Sequence, residues 1–474
     1  MPILEGFQLA FASGGVEDDR FVLLGVTGEE QISKLFEFKI YFTRDEEALT
    51  QAEIDALLEA PCAVAMGPNP GDVVHGLLRR IEMLDQSGTI VPRYVATLVP
   101  NAWLMTLART NRIYQNVTVP EMIAKLFTTY GLEAGADFEL RVDGAYEARE
   151  YIVQYEESDW DFVQRWLETE GIYYYFDHTR ERDVLVLSDN NAASPPITAP
   201  SKISYRRKND LATEGISTVW GWQLDQQRLP ARVALYDYNY RTPNVRLIGK
   251  ADVDPTRGFG SVMVYNEHFK TNEEGAALAA VRAERLLCTR QVFMGWTDCP
   301  RFRVGHVFTL QDHYESSNDG VYLVTQVEHD VGHGVPDPRD EFAINEQSRE
   351  ASEVIGNYRA RFEAIPLKIQ FRPARDTPWP RVTGLMHGHV EEDSGGQYAQ
   401  IDDVGRYKIR LPFDSGNAPG TTASRWMRMV QPYSGAGYGQ HHPLHKGAEV
   451  IVGHVDGDPD RPIIVGTAPH TLTV

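Results

Sequence analysis

A chain of 474 residues exceeds one ordinary hydrophobic core, which predicts two to four domains. Its hydrophobic fraction of 42% and charged fraction of 24% are those of a folded protein and exclude a disordered one. The net charge of −21 opposes nonspecific binding to nucleic acid or anionic lipid. Cys62, Cys288 and Cys299 are odd in number and lack a CxxC spacing, so neither a disulfide framework nor a zinc knuckle is expected. Folding in a reducing cytosol is the simple reading. Met1-Pro-Ile-Leu-Glu5 lacks the basic head and apolar stretch of a secretory signal, and no apolar run reaches eighteen residues. On this reading, export would require a machine.

Residues 1–114 read mostly as strands. In Phe36–Phe42, Phe36, Phe38, Ile40 and Phe42 alternate with Glu37, Lys39 and Tyr41, the period of a strand with one buried face. Residues 45–60 are acidic and rich in Ala and Leu, which predicts a short surface helix; His75–Ile81 and Tyr94–Val99 return to strand. Residues 115–199 change to α/β. Thr118 or Val119 precedes Pro120 at a first helical position, Met122, Ile123, Leu126, Phe127 and Tyr130 follow at helical spacing, and Gly131 stops the helix. A second helix opens at Ser158, whose hydroxyl can accept from the Asp161 N–H. Trp160, Val163, Trp166 and Leu167 form its apolar stripe, Gly171 ends it, and the strand Ile172–Phe176 follows.

Residues 200–365 are strand-rich again, with one helix over 272–288 that Asn272 is expected to cap. Its apolar face is poorly defined. Segments 301–312, 320–330 and 340–344 read as successive strands. Pro366, Pro373, Pro378 and Pro380 mark 366–384 as a linker, since proline supplies no ladder N–H. Residues 385–474 then read as a small five-strand barrel of the OB type. Ile409, Leu411 and Phe413 alternate with Lys408 and Arg410. Arg425–Val430 and Glu449–Val455, apolar at both phases, read as strands covered on both sides. A glycine-bearing loop spans Ser434–Gly439. Asp456, Gly457, Asp458, Pro459, Asp460, Arg461 and Pro462 form a structural turn, because Gly admits positive φ and Pro fixes φ near −65°.

A barrel of about sixty residues buries only ~60% of its unfolded-chain surface and is marginal alone. Its surplus of apolar and aromatic strand residues predicts that partner copies cover it. The residues expected at that interface are Trp426, Met427, Val430, Tyr433, Tyr438, Val450, Ile451, Val452, Ile463 and Ile464.

Two stretches carry a family resemblance. Gly405-Arg-Tyr-Lys-Ile-Arg410, Arg425-Trp-Met-Arg-Met-Val-Gln-Pro-Tyr-Ser-Gly-Ala-Gly437, Gly447-Ala-Glu-Val-Ile-Val452 and Asp456-Gly-Asp-Pro-Asp-Arg-Pro-Ile-Ile-Val-Gly466 resemble the collar of VgrG-type spike proteins. Those are hubs of bacterial type VI secretion and relatives of phage-tail hubs. Glu157–His178 resembles a second signature of the same family, departing at Trp166 and a few neutral positions. The resemblance covers essentially the whole chain. It implies a mainly β fold with minor α, in which residues 1–365 form a tube-like base of two similar barrels, interrupted by the 115–199 insertion, below the OB collar. No internal duplication is visible in the sequence. It also implies a homotrimer docked on a hexameric, Hcp-like inner-tube protein, with a needle or PAAR-like tip, baseplate proteins, effectors and adaptors as further partners. Such a protein is assembled in the cytoplasm and translocated by the machine, meeting the target membrane only by mechanical puncture. The β-helical needle usual after the collar would lie on another chain or beyond Val474.

The chemistry-bearing clusters have plainer explanations. His441, His442 and His445, with His387, His389 and His454, would need a suitably curved loop to converge on a metal. Asp456, Asp458 and Asp460 imitate the start of a calcium loop that then fails at Arg461 and Thr467. Glu156, Glu157, Asp159 and Asp161 could be taken for paired carboxylates, but helix N-termini attract acids anyway. Neither a Gly-x-Ser-x-Gly elbow nor a phosphate loop occurs, and no cofactor is expected. From Gly405 to Gly466 seven Lys and Arg face five Asp and Glu, too little for the basic groove of a single-strand binder. The expectation is a structural spike hub, not an enzyme; the alternatives are a phage-tail or extracellular injection hub and, further off, an OB binding module or cell-wall hydrolase.

Overall fold

In a computed structural model, which describes residues 10–13, 21–44, 48–67, 72–84, 92–207, 217–332, 358–391, 398–414 and 424–471, the first strands are β1 (Ala10–Ser13), β2 (Phe21–Gln31), β3 (Glu37–Arg44), β4 (Pro61–Ala65), β5 (Val73–Leu84) and β6 (Arg93–Val99). Phe38, Ile40 and Phe42 of β3 are fully buried, as their period of two requires. Helix α1 (Gln51–Glu59) opens on a capping box between Thr50 and Glu53.

The chain divides into two units. Met1–Trp103, Leu132–Gly144 and Leu167–Ala374 form the first; Leu104–Gly131, Ala145–Trp166 and Arg375–Val474 form the second. The segment read as one insertion, 115–199, is therefore shared between them.

β7 (Arg109–Tyr114), β8 (Phe138–Arg141) and β9 (Ile152–Ser158) follow, with helices α2 (Val119–Thr129) and α3 (Asp159–Glu170). β7 pairs with β9, while β8 joins β10 (Tyr173–Asp177) and β11 (Val184–Ser188) in the order β10-β11-β8. Thr118 caps α2 in a capping box with Glu121, and Met122, Ile123, Leu126 and Phe127 are its buried stripe. At α3 the Ser158 hydroxyl accepts from Asp161 N–H at 3.0 Å.

Next come β12 (Lys202–Tyr205), β13 (Thr218–Gln226), β14 (Arg232–Asp237), β15 (Leu247–Asp252), β16 (Ser261–Tyr265), β17 (Gln291–Thr297), β18 (Val307–Gln311), β19 (Gly320–Gly332) and β20 (Arg359–Pro366). One twelve-stranded sheet runs β1-β4-β5-β6-β3-β2-β19-β18-β12-β13-β17-β20, and β19 also pairs with β20. The last six strands thus close on themselves, joined to the first six through β2 and β19. The segment 340–344, expected as a strand, lies outside the described residues.

Helix α4 (Asn272–Cys288) covers the separate sheet β15-β14-β16. Their shared core of Val233, Leu235, Leu247, Phe269, Ala279 and Ala283 supplies the apolar face the sequence left undefined. The cap differs from expectation: Thr271 is the N-cap, its hydroxyl accepting from Glu274 N–H at 3.2 Å. Asn272 instead accepts from the Ile248 N–H at 2.9 Å, tying helix to strand.

The collar strands are β21 (Met386–Val390), β22 (Tyr407–Arg410), β23 (Ser424–Met427), the hairpin β24 (Ser434–Gly435) and β25 (Tyr438–Gly439), β26 (Glu449–His454) and β27 (Pro462–Thr467). Five of them lie in the order β23-β22-β21-β26-β27, and a bridge from Met429 to Ile464 brings the ends together. The expectation that the strands at 425–430 and 449–455 are covered on both sides does not hold within one chain. Met427, Val450 and Val452 are buried, whereas Trp426 and Ile451 are half-buried and Val430 is exposed. Among the described residues, no helix is long and apolar enough to cross a membrane.

Candidate assembly interface

The collar sorts the ten predicted interface residues by strand phase. Met427, Val450, Val452 and Ile464 fill the barrel core with Tyr407, Ile409 and Leu411, so they are unavailable to a partner. Trp426, Ile451 and Ile463 are half-buried on the outer phase, Trp426 with the Lys408 ammonium 5.6 Å from its ring. Val430, Tyr433 and Tyr438 are 47%, 57% and 58% exposed. The two tyrosine rings pack together at 5.1 Å. Tyr398, Val404, Leu385 and Val465 are further exposed apolar side chains that the sequence reading missed. Only Val465 had a signal, its phase opposite to Ile464; the others sit outside periodic runs. These apolar and aromatic side chains are exposed to water in the single chain.

The turn at 456–462 is held by hydrogen bonds within itself and to neighbouring elements. Asp456 and Gly457 take positive φ of 56° and 70°. Asp458 Oδ1 accepts from Asp460 N–H at 2.9 Å and Trp379 Nε1–H at 3.5 Å. Asp460 Oδ1 accepts from the buried Val153 N–H at 2.6 Å, and Arg425 donates to the Asp460 carbonyl at 2.8 Å. Within the second unit the turn therefore clips β27 and β23 to β9. Asp458 and Asp460, suggestive of a calcium loop, are buried acceptors in this arrangement.

The acids near α3 are committed as well. Asp159 is fully buried and accepts from Thr110, Arg112, Tyr130 and Gln154 at 2.6–2.7 Å. Burial alone would raise its pKa; these hydrogen bonds outweigh that and hold it below the usual carboxylate range. Glu157 forms a buried ion pair with Arg165 at 2.7 Å. Neither has the free geometry of a glycosidase pair. His441 Nε2 lies 3.0 Å from the Tyr407 hydroxyl and His445 packs on Tyr398, so these two histidines have separate neighbours.

A polar network with no local sequence signal lies inside the first unit. Glu30 of β2 is buried with His329 Nε2 at 3.1 Å, Arg303 at 3.4 Å and His178 Nε2 at 3.8 Å. His329 Nδ1 lies 2.6 Å from the Tyr358 hydroxyl, and His178 Nδ1 accepts from His75 N–H at 3.2 Å. Burial works to raise the Glu30 pKa, but the Arg303 charge and the histidines bring it down to about 2. Burial, reinforced by Arg303, pushes His178 down to about 3. The result is one buried carboxylate–guanidinium pair flanked by neutral imidazoles.

Comparison with known proteins shows the family to which the chain is similar. The pattern of the phage tail baseplate hub (GPD) family matches residues 29–335. That of the type VI secretion system/phage-baseplate injector OB domain matches residues 398–468. The type VI secretion system spike protein VgrG5 of Pseudomonas aeruginosa is 30% identical over 455 residues, 95% of this chain and 56% of that protein. Spike protein VgrG4b of the same organism is 28% identical over 94% of this chain and 54% of its own length. The chain thus spans just over half the length of these relatives. The solved structure of the E. coli c3393 protein, a component of the type VI secretion system, superposes with a TM-score of 0.69 at 24% identity, covering 97% of this chain and 100% of that one.

Proposed function

The chain belongs to the phage tail baseplate hub family, among its VgrG-type spike proteins, and from that premise we infer that it is the structural hub of a contractile injection machine of the type VI secretion kind. Its role is mechanical. Three copies join along their collars, the strand-rich base docks on a hexameric, Hcp-like inner tube, and the far end receives a needle or PAAR-like tip together with effectors and adaptors. Assembly takes place in the cytoplasm, and the machine then drives the hub outward.

The observation supporting the trimer is the exposure of Val430 and of the packed Tyr433–Tyr438 pair on a small barrel whose core is already filled by other side chains. Burying these side chains against copies removes apolar surface from water at about 25 cal/mol per Å². A puncturing device needs slow unfolding, and a long apolar seam provides it. Sedimentation equilibrium of the purified chain at micromolar concentration tests the reading: a trimer is expected, and a stable monomer would overturn it. The phage-tail or extracellular injection version of the hub is the second reading, favoured by the match to the phage tail baseplate hub pattern.

A further inference from the structure

The three-stranded sheet capped by α4 has two outer edges, and the chain treats them differently. β14 lies between its neighbours. At β15 the Ile248 N–H is already taken by the Asn272 side chain of α4 at 2.9 Å, so that edge is partly occupied. At β16 no described strand pairs with the outer edge. The Gly260 carbonyl accepts from Ala231 N–H, and Asn266 N–H donates to the Tyr236 carbonyl, both toward β14. Backbone groups alternate sides along a strand, so the N–H and C=O of Ser261, Met263 and Tyr265 point outward.

The side chains along this edge are not those that blunt one. Natural edges carry lysine, proline or a bulge; here Met263 and Tyr265 are 69% and 60% exposed, and Phe259, just before the strand, is 80% exposed. The surroundings are cationic on an acidic protein. Residues 228–270 hold seven Lys and Arg against four Asp and Glu, a net of +3 in a chain of −21. Arg228 places its guanidinium 5.6 Å from the Phe259 ring, at the edge itself. Arg232 is exposed, neighbours the short Ser261 across the strands, and has no ion pair among the described residues, although Asp252 is its neighbour on the other side.

We propose that the outer edge of β16 is a docking site for an extended, acidic segment of a partner protein. The segment adds as a fourth strand, with its apolar residues against Phe259, Met263 and Tyr265 and its carboxylates facing Arg228 and Arg232. The backbone edge supplies the hydrogen bonds, the exposed side chains supply apolar contact, and the charge selects the partner. The proposal does not depend on the spike reading.

The probe is a fluorescein-labelled nonapeptide alternating glutamate with valine and phenylalanine, titrated into the full chain beside its lysine counterpart. The acidic peptide is expected to bind, to weaken as salt rises, and to slow amide hydrogen exchange within 261–265. R228E combined with R232E should weaken it at least tenfold with an unchanged melting curve, because both positions are on the surface. M263P should abolish it by removing an outward N–H, and Y265S, which keeps the backbone intact and removes apolar contact without adding charge, should weaken it if M263P fails to fold. Equal binding of the lysine peptide, protection elsewhere in the chain, or binding of neither peptide would overturn the proposal. So would tighter binding of a single-stranded oligonucleotide to the same edge, or dissociation of the chain to monomers by Y265S, which would make a second copy the occupant.

Discussion

Glu30, Arg303, His178 and His329 show how a few side chains set the response of the first unit to pH. His178 titrates near 6.5 when unfolded and near 3 when folded, so the unfolded chain binds the extra proton between those values. Stability from the neutral imidazole is therefore complete above pH 6.5 and falls as pH drops below it, by about 1.4 kcal/mol for each full unit of pKa difference. Glu30, depressed from 4.5 to about 2, adds a loss of the same sign between those two values. Asp183 acts the other way. Burial, opposed by hydrogen bonds from Asn101, raises it to about 6, so its penalty is relieved as pH falls through 6. The fall at His178 is larger than the rise at Asp183, and His329 is lowered in the same sense as His178, while Asp298 and Glu363 are raised like Asp183. Urea unfolding of the full chain should show decreasing stability from pH 7 to pH 4, with a shallower slope in H178Q. A flat profile would contradict the buried neutral assignment. E30Q leaves Arg303 buried without its counter-ion and is expected to cost about 3–5 kcal/mol in the same experiment.

Turns and caps carry the next layer. The clip from Asp460 to the Val153 N–H joins elements 307 positions apart in sequence, through one buried hydrogen bond of 2.6 Å. D460A leaves that donor unsatisfied, which costs about 1–3 kcal/mol. Hydrogen exchange at Val153 reads the effect directly and should accelerate, while β22 in the collar core stays protected. The cap of α4 offers a sharper contrast. T271A removes the acceptor of the Glu274 N–H and is expected to cost about 1 kcal/mol in thermal unfolding, whereas N272A loosens the helix from Ile248 without uncapping it.

The assembly reading is tested by substitutions that separate folding from association. V430D and Y438D each put a charge in place of an exposed side chain, so they should shift a trimer toward monomer while leaving the barrel's secondary structure unchanged. V450D buries a charge in the core and should unfold the collar itself. If the chain is trimeric, its melting temperature rises with protein concentration, because association stabilises only the folded form. A melting temperature independent of concentration, with V430D and Y438D indistinguishable from the parent chain, would remove Val430 and Tyr438 from the seam.

Local pattern was enough to read much of this protein. The alternation of β3, the capped start of α2, the stop at Gly131, the Ser158 cap and the 456–462 turn all depend on neighbours within a few residues, where sequence and geometry are tightly coupled. The order of collar motifs was long enough to indicate the family. Other features needed the chain folded back on itself. Which collar residues face inward was settled by barrel closure: Val450 and Ile451 are both apolar, and only pairing with β21 and β27 puts one in the core and the other outside. The two six-stranded runs arise from pairings such as β2 with β19, some 300 residues apart, and leave no repeat in the order of residues. Glu30 and Arg303 meet across 273 positions, and nothing near either one announces the other. Burial is a property of surfaces brought together, and that information resides in long-range packing.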